Sequence, residues 1–262
     1  MKINHIIIRL LFAVVILPLA ALGQNDLTGL DIVQNVFNRP TGTDQEGRLT
    51  MTLINSRGDQ RVREIKQFIK DFGDVEKKIM FFLSPADVRN TSFMNWSYDE
   101  TGRDDDQWIY LPALRRIKRI SSDSKSDYFM GSDFTYDDLG DRHPSEDTHK
   151  LLRREKLDGA ECYVIESIPK EDDYMYSRTL SWVIPSKWIG LKKEFYDEDG
   201  GHLKTLTVKE YKEIESYWII THSQMHNVQK DHTTDMKLKD LKIDTGIPDR
   251  QFTERMMKRG IQ

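Results

Sequence analysis

Residues 48–69 read RLTMTLINSRGDQRVREIKQFI, and this stretch decides the fold class. Its first half alternates leucine and methionine with arginine and threonine, which is the period of a half-buried β-strand. Residues 55–59 then supply asparagine, serine, glycine and aspartate, which turns favour. A second strand follows at 62–69. The stretch therefore predicts an antiparallel β-hairpin.

The hairpin pattern repeats about every dozen residues along the chain, up to a last strand at 233–243. Glycine and aspartate mark the turns between strands, as at 158–159 and 197–201. No long helical pattern intervenes, so we expect consecutive antiparallel strands rather than βαβ units. Two short helices complete the chain: one begins at a capping residue, Thr28, and the other spans about 249–258.

These elements predict one mainly β domain over residues 24–262. A large sheet with one solvated face must bury its other face, and a few short helices cannot easily cover so many strands. We therefore expect an incompletely filled apolar cavity on the covered side of the sheet.

The first residues resemble an export signal. Lys2 and Arg9 give a basic start, and residues 10–22 form an apolar run that ends in small residues. A membrane span is the competing interpretation, but about thirteen apolar residues are fewer than the roughly 20 that a spanning helix needs. We expect a signal peptide at 1–23, cleavage before Gln24 and an exported, soluble protein.

Composition and motifs argue against nucleic-acid binding and against catalysis. The chain has 39 basic and 43 acidic residues, whereas nucleic-acid binders are normally basic. Its single cysteine, Cys162, lies in an apolar run and cannot form an internal disulfide. His222 and His226 share a strand face but stand about 13 Å apart, too far to hold one metal ion. Without a phosphate loop, nucleophile elbow or zinc-helix motif, we expect no catalytic residue, metal or cofactor.

A second stretch, residues 106–139, combines positive charge with aromatic residues. Four basic residues stand within 115–119, interleaved with isoleucine, and five large apolar residues follow within 128–136. One interpretation is a solvated edge strand whose charges discourage pairing with another sheet. The other is a site for a ligand with an apolar body and an anionic head, which arginine binds in bidentate fashion. The residues alone leave both interpretations open.

Several motifs, taken in order, resemble those of one known family. The clearest series is WIYLPALRR at 108–116, FMGSDF at 129–134 and YDDL at 136–139. FLSPAD at 82–87 and TSFM at 91–94 precede it. The chain is thus similar to the LolA-like outer-membrane lipoprotein-sorting proteins, and most similar to a branch often found beside RND-type exporters. The similarity covers essentially the whole mature chain.

The resemblance implies a half-open antiparallel β-barrel, LolA- or LolB-like, of about ten to eleven strands, with a few short helices covering its concave face. It also implies a cavity that holds the acyl chains of a lipoprotein or another lipid, for outer-membrane lipoprotein sorting or lipid transport. On this basis we expect a periplasmic, monomeric carrier or chaperone. An inner-membrane RND-type transporter is a candidate partner.

Two alternatives stay open. One is a periplasmic sensor or adaptor of the same fold that docks to an RND-type exporter or another membrane protein. The other is a hydrolase acting on envelope lipids, which the missing nucleophile and metal motifs disfavour.

The second stretch supplies the expected site residues. We expect the cavity to be lined or bordered by Trp108, Tyr110, Leu111, Phe129, Met130, Phe134 and Tyr136. An anionic head group, or the acidic surface of a partner, would contact Arg115, Arg116 and Arg119. Residues 129–136 would belong to a lid or rim that moves when cargo enters or leaves.

Overall fold

The computed structural model describes residues 27–261, and the predicted signal peptide at 1–23 lies outside this range. Within it, none of the helices is long and apolar enough to cross a membrane. The main elements are, in chain order, α1 Gly29–Phe37, β1 Asp44–Ile54, β2 Gln60–Asp71, β3 Val75–Ser84, β4 Ser92–Tyr98, β5 Asp106–Leu111, β6 Arg116–Arg119, β7 Asp147–Leu157, β8 Ala160–Pro169, β9 Arg178–Ile184, β10 Ile189–Tyr196, β11 His202–Ile214, β12 Tyr217–Asn227, β13 His232–Ile243 and α2 Glu254–Arg259.

The thirteen strands of the described chain form one antiparallel sheet in the order β6-β5-β4-β3-β2-β1-β13-β12-β11-β10-β9-β8-β7. Neighbours in sequence pair with each other, except that β6 and β7 are the two free edges and β1 pairs with β13. The sheet therefore stays open. This confirms the half-open antiparallel architecture, with more strands than the resemblance implied.

Both faces of the sheet are apolar at β3 and β4. Alternation along β3 sends Met80 and Phe82 to one face, named here the inner face, and Ile79 and Phe81 to the other, the outer face. All four side chains are buried. Each face of this region must therefore be covered by another part of the chain.

The inner face is covered by α1 over β8 and β9 and by residues 120–146 over its centre. α1 begins with the expected capping box: the Thr28 hydroxyl accepts from the backbone N–H of Asp31, whose carboxylate accepts from the backbone N–H of Thr28. Ile32 of α1 is fully buried against the sheet. Residues 120–146 connect the edge strands β6 and β7. The connection across the open side of the barrel therefore also covers the inner face.

The outer face of β3 and β4 is covered by the C-terminal residues. The helix predicted at 249–258 forms as a 3-10 turn, Asp249–Gln251, followed by α2. Phe252 and Met257 are buried here and pack against the outer-face residues of β3 and β4. The C-terminal residues thus protect apolar side chains that would otherwise face solvent.

Candidate functional site

One part of the connection between the edge strands lies on the inner face and is named here the plug, residues 127–139. Its Phe129 is fully buried, with its ring centroid 5.9 Å from that of Phe82 and 5.1 Å from that of Phe93. Leu139, at the end of the plug, is buried in the same cluster. The plug thus places its own apolar side chains where the sequence predicts an apolar cavity.

A buried ion pair fixes the plug to β11. The ammonium group of Lys204 donates to the carboxylate of Asp138 and, at 3.0 Å, to the backbone carbonyl of Asp133. The Tyr176 hydroxyl donates to the same carboxylate at 3.0 Å, and the backbone N–H of Thr135 does so at 2.7 Å. The negative charge of Asp138 is therefore compensated entirely by groups of the protein.

Further polar contacts join the plug to β13 and β5. The Asp133 carboxylate accepts from the Thr234 hydroxyl and contacts Nδ1 of His232, both at 2.7 Å. On the other side of β1, the side-chain amide of Gln107 in β5 donates to the backbone carbonyl of Tyr136 at 2.8 Å. The plug is therefore held by hydrogen bonds to strands on both sides of β1.

Two tyrosines between β8 and β9 close over the acidic end of the plug. The Tyr174 hydroxyl donates to Asp137, as that of Tyr176 does to Asp138. Burial, and then these carboxylates, raise the pKa of both phenols far above the ordinary value. Burial also raises the pKa of Asp137, although the bond from Tyr174 opposes this shift. Both phenols therefore remain protonated donors.

A charged cavity of about 250 Å³ borders the plug, and Asp105 and Asp141 are among its lining residues. Beside them, the Lys78 ammonium group donates to the carbonyl of Leu139 at 3.2 Å. Burial first, and the Asp141 carboxylate second, raise the pKa of Glu76 to about 7. A cavity with this lining is too polar to hold an acyl chain.

The structure divides the seven predicted cavity residues between the two faces of the sheet. On the inner face it brings together the four residues of the plug: Phe129, Met130, Phe134 and Tyr136. Trp108 and Tyr110 instead pack on the outer face with the C-terminal residues. Leu111 follows Tyr110 in β5 and so belongs to the inner side. The cause is the period of two in a strand, which distributes one apolar run over both faces.

The three predicted arginines lie at the hairpin between β5 and β6, where β6 is an edge strand. They border a groove of about 390 Å³, named here the basic groove. Its lining residues are Trp108, Arg115, Arg116, Ile117, Arg119, Glu254 and Lys258. Because Trp108 and α2 belong to the outer face, the basic groove and the plug lie on opposite faces of the sheet.

Sequence reasoning missed the residues that hold the plug. Lys204 stands in an alternating strand, where a lysine is expected to face solvent, and its partners Asp133 and Asp138 are 71 and 66 residues away in the chain. One signal was available. Residues 131–139 place three aspartates among apolar residues, and a buried carboxylate requires a donor or cation from elsewhere in the fold.

Comparisons with known proteins identify the family. A family model described as an uncharacterized protein matches residues 74–259. A solved domain from Vibrio parahaemolyticus, assigned as an outer membrane lipoprotein-sorting protein, is 36% identical with a TM-score of 0.82, and the match covers 88% of this chain and 98% of that one. The chain belongs to the LolA-like outer-membrane lipoprotein-sorting family.

Other solved structures agree with this LolA-like assignment. A DUF1329 family protein from Desulfovibrio piger is 29% identical with a TM-score of 0.83, over 87% of this chain and 97% of that one. A LolA superfamily protein from Nitrosomonas europaea, 20% identical over 87% and 99% of the two chains, has a TM-score of 0.68 and supports the fold alone. No curated protein matches the chain by sequence. The comparisons therefore establish a LolA-like fold.

Proposed function

We propose that this LolA-like protein is a periplasmic carrier that shields acyl chains of lipoproteins or other lipids on the inner face of its sheet. The observation that supports this most strongly is the plug, an apolar cover that packs on an apolar face and is also fixed by polar contacts to β5, β11 and β13. Polar groups can exchange their partners for water when the plug leaves, at a small net cost per hydrogen bond. The apolar face then needs a new cover, which an acyl chain provides.

The composition of the inner core supports an exchangeable cover. Methionine is unbranched and flexible, so it can repack around apolar ligands of different shape. Three buried methionines and three partly buried ones belong to this core: Met51, Met80, Met225, Met130, Met175 and Met236. A core of this kind favours variable acyl chains as ligands.

An acyl chain can compete with the plug for this surface. Burying one CH₂ group is worth about 0.8 kcal/mol, and burying a phenylalanine side chain about 1.5–3 kcal/mol. A chain with about ten buried carbons therefore offers roughly 8 kcal/mol, within the range of about 6–12 kcal/mol that the plug residues Phe129, Met130, Phe134 and Leu139 together give up.

The predicted site residues have distinct roles in this proposal. Leu111 borders the inner face, whereas Trp108 and Tyr110 support the sheet from its outer face. The plug residues form the lid that leaves when cargo enters: Phe129, Met130, Phe134 and Tyr136.

A reversible cross-link between plug and sheet tests the proposal. The Thr234 hydroxyl donates to the Asp133 carboxylate at 2.7 Å, so the two side chains are neighbours. We expect cysteines at both positions, in a Cys162→Ala background, to be joined by oxidation. We expect the oxidised D133C/T234C protein to lose binding of a fluorescent fatty acid, because the plug can no longer leave. Reduction should restore the binding.

A matched pair away from the plug provides the control. Thr43 and Asp244 are also in side-chain contact, at 2.8 Å, so T43C/D244C should bind the fatty acid in both redox states. Binding by the oxidised D133C/T234C protein would show that the plug does not exclude lipid. If the wild-type protein also fails to bind the fatty acid, the sensor or adaptor alternative is favoured instead.

A further inference from the structure

The basic groove lies on the face opposite the plug, and a carrier site on the inner face leaves it without a role. Four of its seven lining residues are basic and one, Glu254, is acidic. Trp108 and Ile117 supply apolar surface to the groove. Its volume of about 390 Å³ lies within the range of small-molecule sites.

Most of the basic side chains of the groove are available to a ligand. Arg119 pairs with Asp106. In contrast, Arg115, Arg116 and Lys258 are solvent-exposed. These three cations can exchange water for an anionic group without first being taken out of the protein core.

An apolar side chain protrudes beside these cations. Leu114, at the tip of the β5–β6 hairpin, is 64% exposed. The tip is an ordered turn, because Leu114 donates to the carbonyl of Leu111 and Arg115 to that of Pro112, each at 3.1 Å. Arg115 has φ +50°, a conformation that glycine adopts more easily than any larger residue.

We propose that the β5–β6 tip and α2 dock this protein on a bilayer surface that bears anionic phospholipid head groups. Arg115 and Arg116 would donate bidentate hydrogen bonds to a phosphate group, and Lys258 adds a third positive charge. Leu114 would enter the boundary between head groups and acyl chains. Neither a free phosphate nor an acidic protein surface offers Leu114 such a boundary, so cations around a protruding leucine favour a bilayer.

Docking goes beyond the carrier proposal and is independent of it, because plug and groove lie on different faces. The test measures co-sedimentation of the exported form, from Gln24 onward, with vesicles of phosphatidylcholine alone or of phosphatidylcholine mixed with phosphatidylglycerol. We expect binding to the mixed vesicles only. A cation near an anionic membrane contributes about a five-fold change in affinity, so R115A/R116A/K258A should bind roughly a hundred-fold more weakly.

Matched variants separate a docking site from net charge. R61A/K209A/K239A removes three exposed cations of β2, β11 and β13 and should keep most of the vesicle binding. Leu114→Ala should weaken the binding, whereas Leu152→Ala, at another exposed leucine, should not. The circular-dichroism spectrum should be unchanged in every variant, which shows that the protein is folded, and fatty-acid binding should be unchanged as well.

Three results would overturn the docking proposal. Equal losses in the two triple variants would show attraction by net charge alone. Loss of vesicle binding on addition of a slight excess of inorganic phosphate would indicate a site for soluble anions. Absence of binding to mixed vesicles would indicate a protein partner. If vesicles bind as expected but no fatty acid does, only the carrier proposal fails.

Discussion

The ammonium group of Lys204 and the carboxylate of Asp138 form an ion pair in the interior, with side-chain exposures of 0% and 6%. The two residues come from β11 and from the plug. Removing a charge from water costs several kcal/mol, so each of these charges is tolerated only beside the other. In the proposed release of the plug from the sheet, both charges would regain water. The pair therefore specifies where the plug binds and is compatible with the proposed release.

Substitution of Lys204 by methionine should be strongly destabilising. Lys204→Met leaves the Asp138 carboxylate buried without its cation, and breaking a buried pair in this way costs about 3–5 kcal/mol. Urea denaturation followed by circular dichroism measures the loss. The double variant K204M/D138N should recover part of it, because neither charge remains. Lys209→Met, at an exposed site on the same strand, should change the free energy of unfolding by less than about 0.5 kcal/mol.

Two phenylalanines in contact should affect lipid binding in opposite directions. Phe129 belongs to the plug and Phe82 to the sheet, and both are buried. Replacing either by alanine should destabilise its packing by about 3–5 kcal/mol. Phe129→Ala weakens the binding of the plug, which competes with the acyl chain for the inner face. A fluorescent fatty acid should therefore bind at least about ten-fold more tightly, because about 1.4 kcal/mol is a factor of ten. Phe82→Ala removes apolar surface that the plug and the acyl chain both contact, so it should lower the affinity for the fatty acid. Changes in the same direction would contradict the competition.

The partly buried Glu76 should make stability depend on pH. Its pKa rises from an ordinary value of 4.5 to about 7 in the folded protein, mainly through burial. Between these two values the folded state binds a proton that the unfolded state has released. The free energy of unfolding should therefore fall as the pH rises through this range, by about 1.4 kcal/mol for each unit of pKa displacement.

A neutral substitution isolates this contribution. Glu76→Gln should flatten the dependence between pH 4.5 and 7 and should make the protein more stable than wild type above that range. Burial also raises the pKa of Asp105 and Asp137, so a weaker slope of the same sign should persist. Glu213→Gln, at an exposed position, serves as the control. The assignment to Glu76 fails if the two variants have the same slope in urea titrations.

Gly29 should not tolerate a side chain. A Cβ atom there would lie 2.7 Å from the backbone carbon of His149 and from the amide nitrogen of Lys150. Glycine to alanine normally stabilises a helix by up to about 1 kcal/mol. Here we expect a loss of about 1–3 kcal/mol, because backbone must move to relieve the overlap. Leu30→Ala, at the neighbouring and exposed residue, should be close to neutral. Thermal unfolding of both variants tests whether α1 packs this closely.

The sequence was informative wherever apolar residues alternate. The hairpin at 48–69 appears as β1 and β2, and the capping box at Thr28 begins α1 as expected. β6, Arg116–Arg119, is the solvated edge strand that was one of the two interpretations of the basic stretch, although three of its four residues are charged and leave no alternation to detect. A short charged strand at a sheet edge is typical of proteins that avoid edge-to-edge pairing.

The candidate site was harder to predict, because its contacts join residues far apart in the chain. Asp133 and Thr234 are 101 residues apart, and no local pattern shows which strand a plug aspartate will meet. Trp108 and Leu111 stand in one apolar run, yet their side chains lie on opposite faces of β5. Only the register and curvature of the sheet decide which of these residues can share a ligand.

Native mass spectrometry of the mature protein, purified from envelope extract, tests the carrier proposal most directly. The account predicts a bound phospholipid, fatty acid or acylated protein, which lipid extraction then identifies. A protein that carries no such ligand, under conditions in which a known lipid carrier retains its own, would contradict it.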